Sequence, residues 1–353
     1  MTTMRALVAH GPGDYRHQEV PIPVVGQGEI LLKVLACGIC AGDVKSYHGG
    51  IRIWGTSPED RYIDAPVTGG HEFVGQVVKL GEGVTGYTLG DRVISEQIVP
   101  CAQCRFCREG TYWMCTRSAV YGFKHVCEGG FAEYVKLPAT AVNHIIPETL
   151  TVEQAALVEP IACGMHAIDQ AGIGRGDVVV IAGLGGIGLA MLSIAAAAMP
   201  RLLIGVDVRA DRLAKGTEFG ADLTFDPTAC NLEDELRRLT DGLGCDVYID
   251  ASGSPASVNQ GLACLRNHGR YVQMGVFADE VTADWNIIGD GKELTIVGSH
   301  LSGVTYPAVI KGIATGRIRT EGLVTHTFPL AEWERAFEVA EREPGALKVL
   351  LVP

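Results

Sequence analysis

The stretch "DVVVIAGLGGIG", residues 177–188, passes from a β-branched apolar run into three spaced glycines. It reads G-x-G-x-x-G at the point where a strand turns into a helix, and that context gives the glycines a mechanism. Gly183 makes the turn, Gly185 lets the backbone approach a pyrophosphate, and Gly188 packs helix against strand. Gly186 and Ile187 open the helix, whose N-terminal amides face the phosphates. The Ala-rich run to Met199 continues it. The uncharged stretch 178–199 has the length of a membrane span, but its clustered glycines break the continuous helix that a span requires. Asp207 ends the next apolar run and suits the two hydroxyls of a ribose, while repelling a 2′-phosphate, so the expected dinucleotide is NAD. Arg209 and Arg212 lie nearby and weaken that preference. Val276, after the run "GRYVQMGV", is a further candidate coenzyme contact.

Outward from this motif, strands and helices alternate from about residue 151: "DVVVIAG", "LLIGVDV", "ADLTFD", "CDVYIDASG", "GRYVQMGV" and "ELTIVGSH" are strands, with helices over 186–199, 231–240 and 255–266. Such a series builds a parallel sheet covered by helices, an α/β doubly wound fold. Residues 1–150 differ. Short alternating runs punctuated by Gly and Pro read as mostly β, a small barrel or sandwich. The expected organisation is a first domain over 1–150, a nucleotide domain over 151–292, and a return to the first domain over 293–353. The last strand, "ALKVLLVP", would belong to that return.

The 353 residues carry a net charge of −12, which disfavours nucleic acid or an anionic membrane as a partner. The opening "MTTMRALVAH" has no secretory pattern, so a reducing, cytoplasmic setting is expected. There, clustered thiols more often bind metal than form disulfides. Cys101, Cys104, Cys107 and Cys115 make C-x2-C-x2-C-x7-C. Four thiolates suit a closed, tetrahedral structural zinc. An iron–sulfur cluster uses similar spacings, but no proline follows the fourth cysteine.

A second set lies in "CGIC", 37–40, and "GGHE", 69–72. Cys40, His71 and Glu72 are all possible zinc ligands, though Cys37 and Cys40 alone also read as buried small hydrophobes, the Gly-Gly-His as a turn, and Glu159 as a helix-start carboxylate. Taken together, "GIC-x2-D", "GHE", "GDRV", the four-cysteine loop, "GGFAEY", "EP" and "GLGGIG" resemble, in order, the zinc-dependent medium-chain dehydrogenase/reductase family. The resemblance implies a GroES-like catalytic domain, a Rossmann coenzyme domain, and an active site in the cleft between them.

Glu159, where many alcohol dehydrogenases carry a third zinc cysteine, resembles the polyol (sorbitol dehydrogenase-like) branch. The strings around the cysteine loop are most similar to those of bacterial erythritol/L-threitol dehydrogenases. By this resemblance Cys40 and His71 hold the catalytic zinc, Glu72 and Glu159 compete for the third place, and Asp43 orients His71. Zinc would polarise a substrate hydroxyl and NAD⁺ would accept its hydride. The expected reaction is NAD-dependent oxidation of a secondary hydroxyl of a four- to six-carbon polyol to a ketose. Candidate substrate contacts are Ser46, Trp54, Tyr121, Lys124 and His300. Family members usually carry Ser or Thr two residues after the zinc cysteine to relay the proton. Gly42 stands there, and Lys45, if partly buried, is the candidate substitute. Two other readings stay open: a zinc dehydrogenase of another secondary alcohol such as threonine or butanediol, and a non-catalytic NAD(H)-binding protein. The resemblance also implies a homo-oligomer, a tetramer or dimer.

Overall fold

A computed structural model describes residues 2–278 and 280–353. The chain forms two compact units. The first takes residues up to Glu159 together with Tyr306–Ala314 and Thr320–Pro353; the second takes Pro160–Thr305 and Thr315–Arg319.

In the second unit, six strands form one sheet in the order Leu223–Phe225, Leu202–Val206, Val178–Ala182, Cys245–Asp250, Leu265–Gln273, Thr295–Gly298. Every neighbouring pair is parallel. This is the 3-2-1-4-5-6 order of a doubly wound Rossmann sheet. The central strand Val178–Ala182 is almost free of solvent contact, as expected where helices cover both faces. The strand Thr295–Gly298 still belongs to this sheet, and the chain re-enters the first unit only at Tyr306. The helix expected over 186–199 spans Gly186–Ala196. It stops early because Met199 takes a left-handed φ of 54° and Pro200 follows, which cannot donate to a helix ladder.

The first unit is β-rich. Antiparallel strands Thr3–Gly11, Asp14–Pro21 and Val67–Thr68 make one small sheet. A larger sheet runs in the order Asn143–Ile145, Arg92–Ser95, Glu72–Leu80, Ile30–Gly38, Lys348–Val352, Val324–Pro329, with Tyr134–Leu137 also paired to Ile30–Gly38. The C-terminal strand thus returns to the first unit, with Leu350 opposite Gly38 and Leu351 opposite Cys37. Leu32, Phe73, Phe131, Leu137 and Leu351 are among its core. The long segment 48–68 contains a short helix, Ile51–Trp54, and a 3-10 turn, Pro58–Asp60. Among the described residues, no helix is long and apolar enough to cross a membrane.

Candidate active site and nucleotide site

The strand register explains why residues distant in sequence meet. Ile30–Gly38 and Glu72–Leu80 run antiparallel with Gly38 opposite Glu72. The chain therefore leaves one strand toward Cys40 at the same end where it enters the other through His71. Cys40 caps the short helix Ala41–Tyr47. Its Sγ accepts from Gly42 N at 3.4 Å, and Asp43 Oδ2 accepts from Cys40 N at 2.8 Å. That reciprocal cap fixes Asp43, which is buried, with Oδ1 3.7 Å from His71 Nδ1. His71 Nδ1 is itself buried without a hydrogen-bond partner. The turn before it needs Gly70, at φ 90°, where a Cβ would meet Phe131 and Cys37 Sγ at 2.6 and 2.8 Å.

Donor atoms of Cys40, His71 and Glu72 all lie within 4.8 Å of one another. Glu159, 8% exposed, sits in the first turn of the helix Val158–Ala171. Burial works against a charge on His71. Asp43, Cys40 and Glu159 outweigh it and raise the imidazole pKa well above its ordinary value. A thiol, an imidazole and the acids Asp43, Glu72 and Glu159 beside the ammonium of Lys348 make a site short of positive charge, and a divalent cation fits it.

The four-cysteine loop fits a second ion. Cys104 Sγ lies 3.5 Å from Cys107 Sγ and 3.7 Å from Cys115 Sγ. Zinc–sulfur bonds of about 2.3 Å place tetrahedral sulfurs about 3.8 Å apart, whereas a disulfide needs about 2.05 Å. All eleven cysteines are free thiols. Amide donors, that of Cys107 first, lower Cys104 to about 6, while burial and then the neighbouring thiols push Cys107 up to about 12. A cation would let all four ionise together.

In the second unit, the glycines behave as their spacing predicts. Gly183 has φ 95°, and a Cβ on it would lie 2.6 Å from Ser252 N. A Cβ on Gly188 would lie 1.8 Å from Gly183 O, whereas Gly185 faces open space. Gly185 lines a cavity of about 460 Å³ with Gly183, Asp207, Arg212, Thr228 and Ser252. Asp207 is buried; it accepts from Leu184 N at 2.7 Å and Arg209 N at 3.0 Å, so it also pins the glycine turn. The open backbone at Gly185 and the acid at the end of the second strand fit a dinucleotide. Arg209 is committed to Asp211, with Nη2 2.8 Å from Oδ2, and Arg212 Nη1 approaches Asp207 at 3.5 Å. Val276 is exposed. Gly186 and Ile187 begin the helix.

The remaining candidates fall in different settings. Ser46 is buried and accepts from Tyr15 OH at 2.8 Å. Trp54 is in the core, its indole donating to Ser46 O at 2.7 Å. Tyr121 is fully buried, with its hydroxyl accepting from Ser95 Oγ at 3.2 Å. Lys124 pairs with Asp64 at 3.2 Å and lies over the Tyr62 ring. His300 is exposed in the second unit. Lys45 is exposed, not partly buried. Two residues were not expected. Lys348 is buried against Glu72; its only signal was a lone lysine in an apolar strand. Asp250 is fully buried and shapes the loop beside Gly183, accepting from Ser252 Oγ at 2.6 Å and Gln273 Nε2 at 3.0 Å.

With this geometry in view, the relatives decide the family. Residues 26–148 match the alcohol dehydrogenase GroES-like domain, and residues 186–315 match the zinc-binding dehydrogenase domain. An erythritol/L-threitol dehydrogenase of Mycolicibacterium smegmatis is 43% identical, covering 99% of this chain and 98% of its own length. The chain belongs to the zinc-dependent medium-chain dehydrogenase/reductase family. A sorbitol dehydrogenase of Halalkalibacterium halodurans is 35% identical over 99% of both chains, which puts this family member on the polyol branch. The solved 2R,3R-butanediol dehydrogenase of Bacillus subtilis superposes with a TM-score of 0.89 at 31% identity, covering 99% of each chain. The Rossmann and GroES-like architecture of the family is the architecture described above.

Proposed function

We propose that this dehydrogenase oxidises a secondary hydroxyl of a short polyol to a ketone: polyol + NAD⁺ → ketose + NADH + H⁺. The observation that carries this reading is that donor atoms of Cys40, His71 and Glu72 lie within 4.8 Å of one another, with the buried carboxylate of Glu159 among the charges that raise the His71 pKa. A zinc held there would act as a Lewis acid that makes an alcohol more acidic. Asp43, its Oδ1 3.7 Å from His71 Nδ1, favours the orientation of that ring by its charge, and the capping helix holds Cys40. Asp207 and the glycine turn hold the dinucleotide. The 43% identical relative is named for four-carbon polyols, and they head the list of substrates. The test is NADH formation against three- to six-carbon polyols of defined configuration, with 2,3-butanediol and threonine beside them. Turnover confined to butanediol or threonine would overturn the polyol reading. No turnover with metal and NADH both bound would favour a non-catalytic NAD(H)-binding protein.

We propose that Glu72, within 4.8 Å of the Cys40 and His71 donors, and the buried Glu159 both support the metal site. Glu159→Gln is expected to lower turnover by about 10- to 100-fold, as when a group supporting a metal is lost. Near-normal turnover and zinc content in that variant would remove Glu159 from the site.

Coenzyme choice rests on Asp207. Asp207→Gly is expected to raise the KM for NAD by about tenfold or more, since a charge-assisted hydrogen bond is lost. It should also relieve rejection of NADP, because Arg212 loses its facing acid. A wild-type enzyme that prefers NADP would contradict this.

Lys45, exposed and five residues after Cys40, is proposed as the proton outlet. Lys45→Met should lower turnover at saturating NAD, most at low pH. A Cβ at Gly42 would meet only Cys40 Sγ, at 3.7 Å, so Gly42→Ser fits and should partly restore the rate. A variant whose only defect is a raised NAD KM would exclude the relay.

A further inference from the structure

On the first unit, a row of side chains leads from His71 out to solvent. The Phe123 ring lies 5.9 Å from the His71 ring and 5.6 Å from the Tyr62 ring, centroid to centroid. Lys124 Nζ sits 5.0 Å from the Tyr62 centroid and donates to Asp64 Oδ1 at 3.2 Å. His71 and Phe123 are buried, whereas Tyr62 is 41% exposed. Asp64 N donates to Phe123 O at 2.8 Å, and Tyr62 N donates to Ile53 O at 3.0 Å. The backbone of the segment 48–68 is therefore pinned beside Phe123 independently of the ion pair.

An ammonium has three N–H donors and a carboxylate two acceptor oxygens. The bond between Lys124 and Asp64 uses one donor and one oxygen, which leaves both kinds of group for a further partner. A hydroxyl donates and accepts, so it suits such a pair. A phosphate ester brings a charge of about −1.5 to −2 and would meet Asp64 as a like charge. Glu128 adds to that repulsion. Burial pushes the Cys127 thiol up to about 12, and Glu128 and Asp64 raise it further against Lys124, so negative charge outweighs positive around this pair. We propose that Lys124 and Asp64 receive the end of the substrate remote from the metal, and that Asp64, by balancing Lys124, selects an uncharged hydroxyl end over a phosphate ester. The inference rests on the polyol reading, with the reacting hydroxyl beside Cys40 and His71.

The test compares a four-carbon polyol with its terminal phosphate ester and with 2,3-butanediol, which has the same carbon chain without end hydroxyls. Asp64→Asn keeps the backbone bond to Phe123 O and frees Lys124, a point charge able to bind phosphate. It should raise kcat/KM for the phosphate ester relative to the polyol by about tenfold or more, the size of one hydrogen bond to a charged group. Asp64→Glu, which keeps the charge, should hold the wild-type ratio. Lys124→Met should raise the KM for the polyol by about tenfold with kcat unchanged, because a contact far from the reacting carbon is made equally before and in the transition state. The same variant should leave butanediol kinetics unchanged. Adding Lys124→Met to Asp64→Asn should remove the gain for the phosphate ester. A folded Asp64→Asn enzyme with the wild-type ratio, a wild type that already prefers the ester, or a Lys124→Met enzyme that loses polyol and butanediol turnover alike would overturn the proposal. A wild type without turnover of any polyol would instead refute the proposed function, and this inference with it.

Discussion

His71→Ala is expected to lower turnover by about 10³-fold or more, an increase in barrier of about 4 kcal/mol, while NADH still binds. The argument is one of charge and donors. Without the imidazole, the site keeps a thiol and the acids Asp43, Glu72 and Glu159, with the ammonium of Lys348 beside them. Asp43 stays capped by Cys40 N, so the helix Ala41–Tyr47 should survive, and the defect should be in metal retention. The residues lining the nucleotide cavity all lie in the second unit, and none is a donor of this set. Metal analysis should fall from two ions per chain to one, with NADH fluorescence titration unchanged. A His71→Ala enzyme that keeps two ions and near-normal turnover would refute the assignment.

What the sequence made legible depended on how local the physics was. The glycine turn was legible because strand, turn and helix are consecutive, and each glycine answers a contact within that unit or its next strand. The four-cysteine loop was legible for the same reason. Cys40 and His71 were not, by spacing alone: they meet because two antiparallel strands place Gly38 opposite Glu72, and only the ordered resemblance to a family pointed there. Lys348 was missed because its partner is 276 positions away and no local pattern marks a lysine as inward-facing. Trp54 and Tyr121 show the opposite gap. Both were candidate substrate contacts, but indole N–H and phenol find partners in Ser46 O and Ser95 Oγ within the core, which is how buried aromatic polar groups are usually satisfied.

The second large effect is expected from Cys104→Ser. Cys104 is the sulfur with neighbours at 3.5 and 3.7 Å, so its loss opens the tetrahedral set, and one ion per chain should go. The consequence reaches beyond the loop through a buried carboxylate. Glu96, 1% exposed, accepts from Tyr112 OH at 3.0 and 2.9 Å and from His144 Nε2 at 3.0 Å. Tyr112 lies between the third and fourth cysteines, while His144 belongs to the strand Asn143–Ile145 and stacks on Tyr306. A carboxylate only accepts, so the His144 proton must sit on Nε2. The hydrogen bonds from Tyr112 therefore tie the cysteine loop to the sheet. If the loop loosens, Glu96 keeps only His144, and losing a hydrogen bond to a charged group costs about 1.5–3 kcal/mol. For units of this size that corresponds to a fall in Tm of roughly 3–12 °C, before any loss of metal-binding energy is added. Tyr112→Phe separates the two contributions: it should lower Tm by part of this amount while both ions remain bound. Below the transition, Cys104→Ser should retain its turnover per remaining metal, because a closed four-sulfur shell has no place for substrate. If Cys104→Ser instead loses activity at unchanged Tm with the Cys40 ion still bound, the loop is part of the chemistry and not of the scaffold.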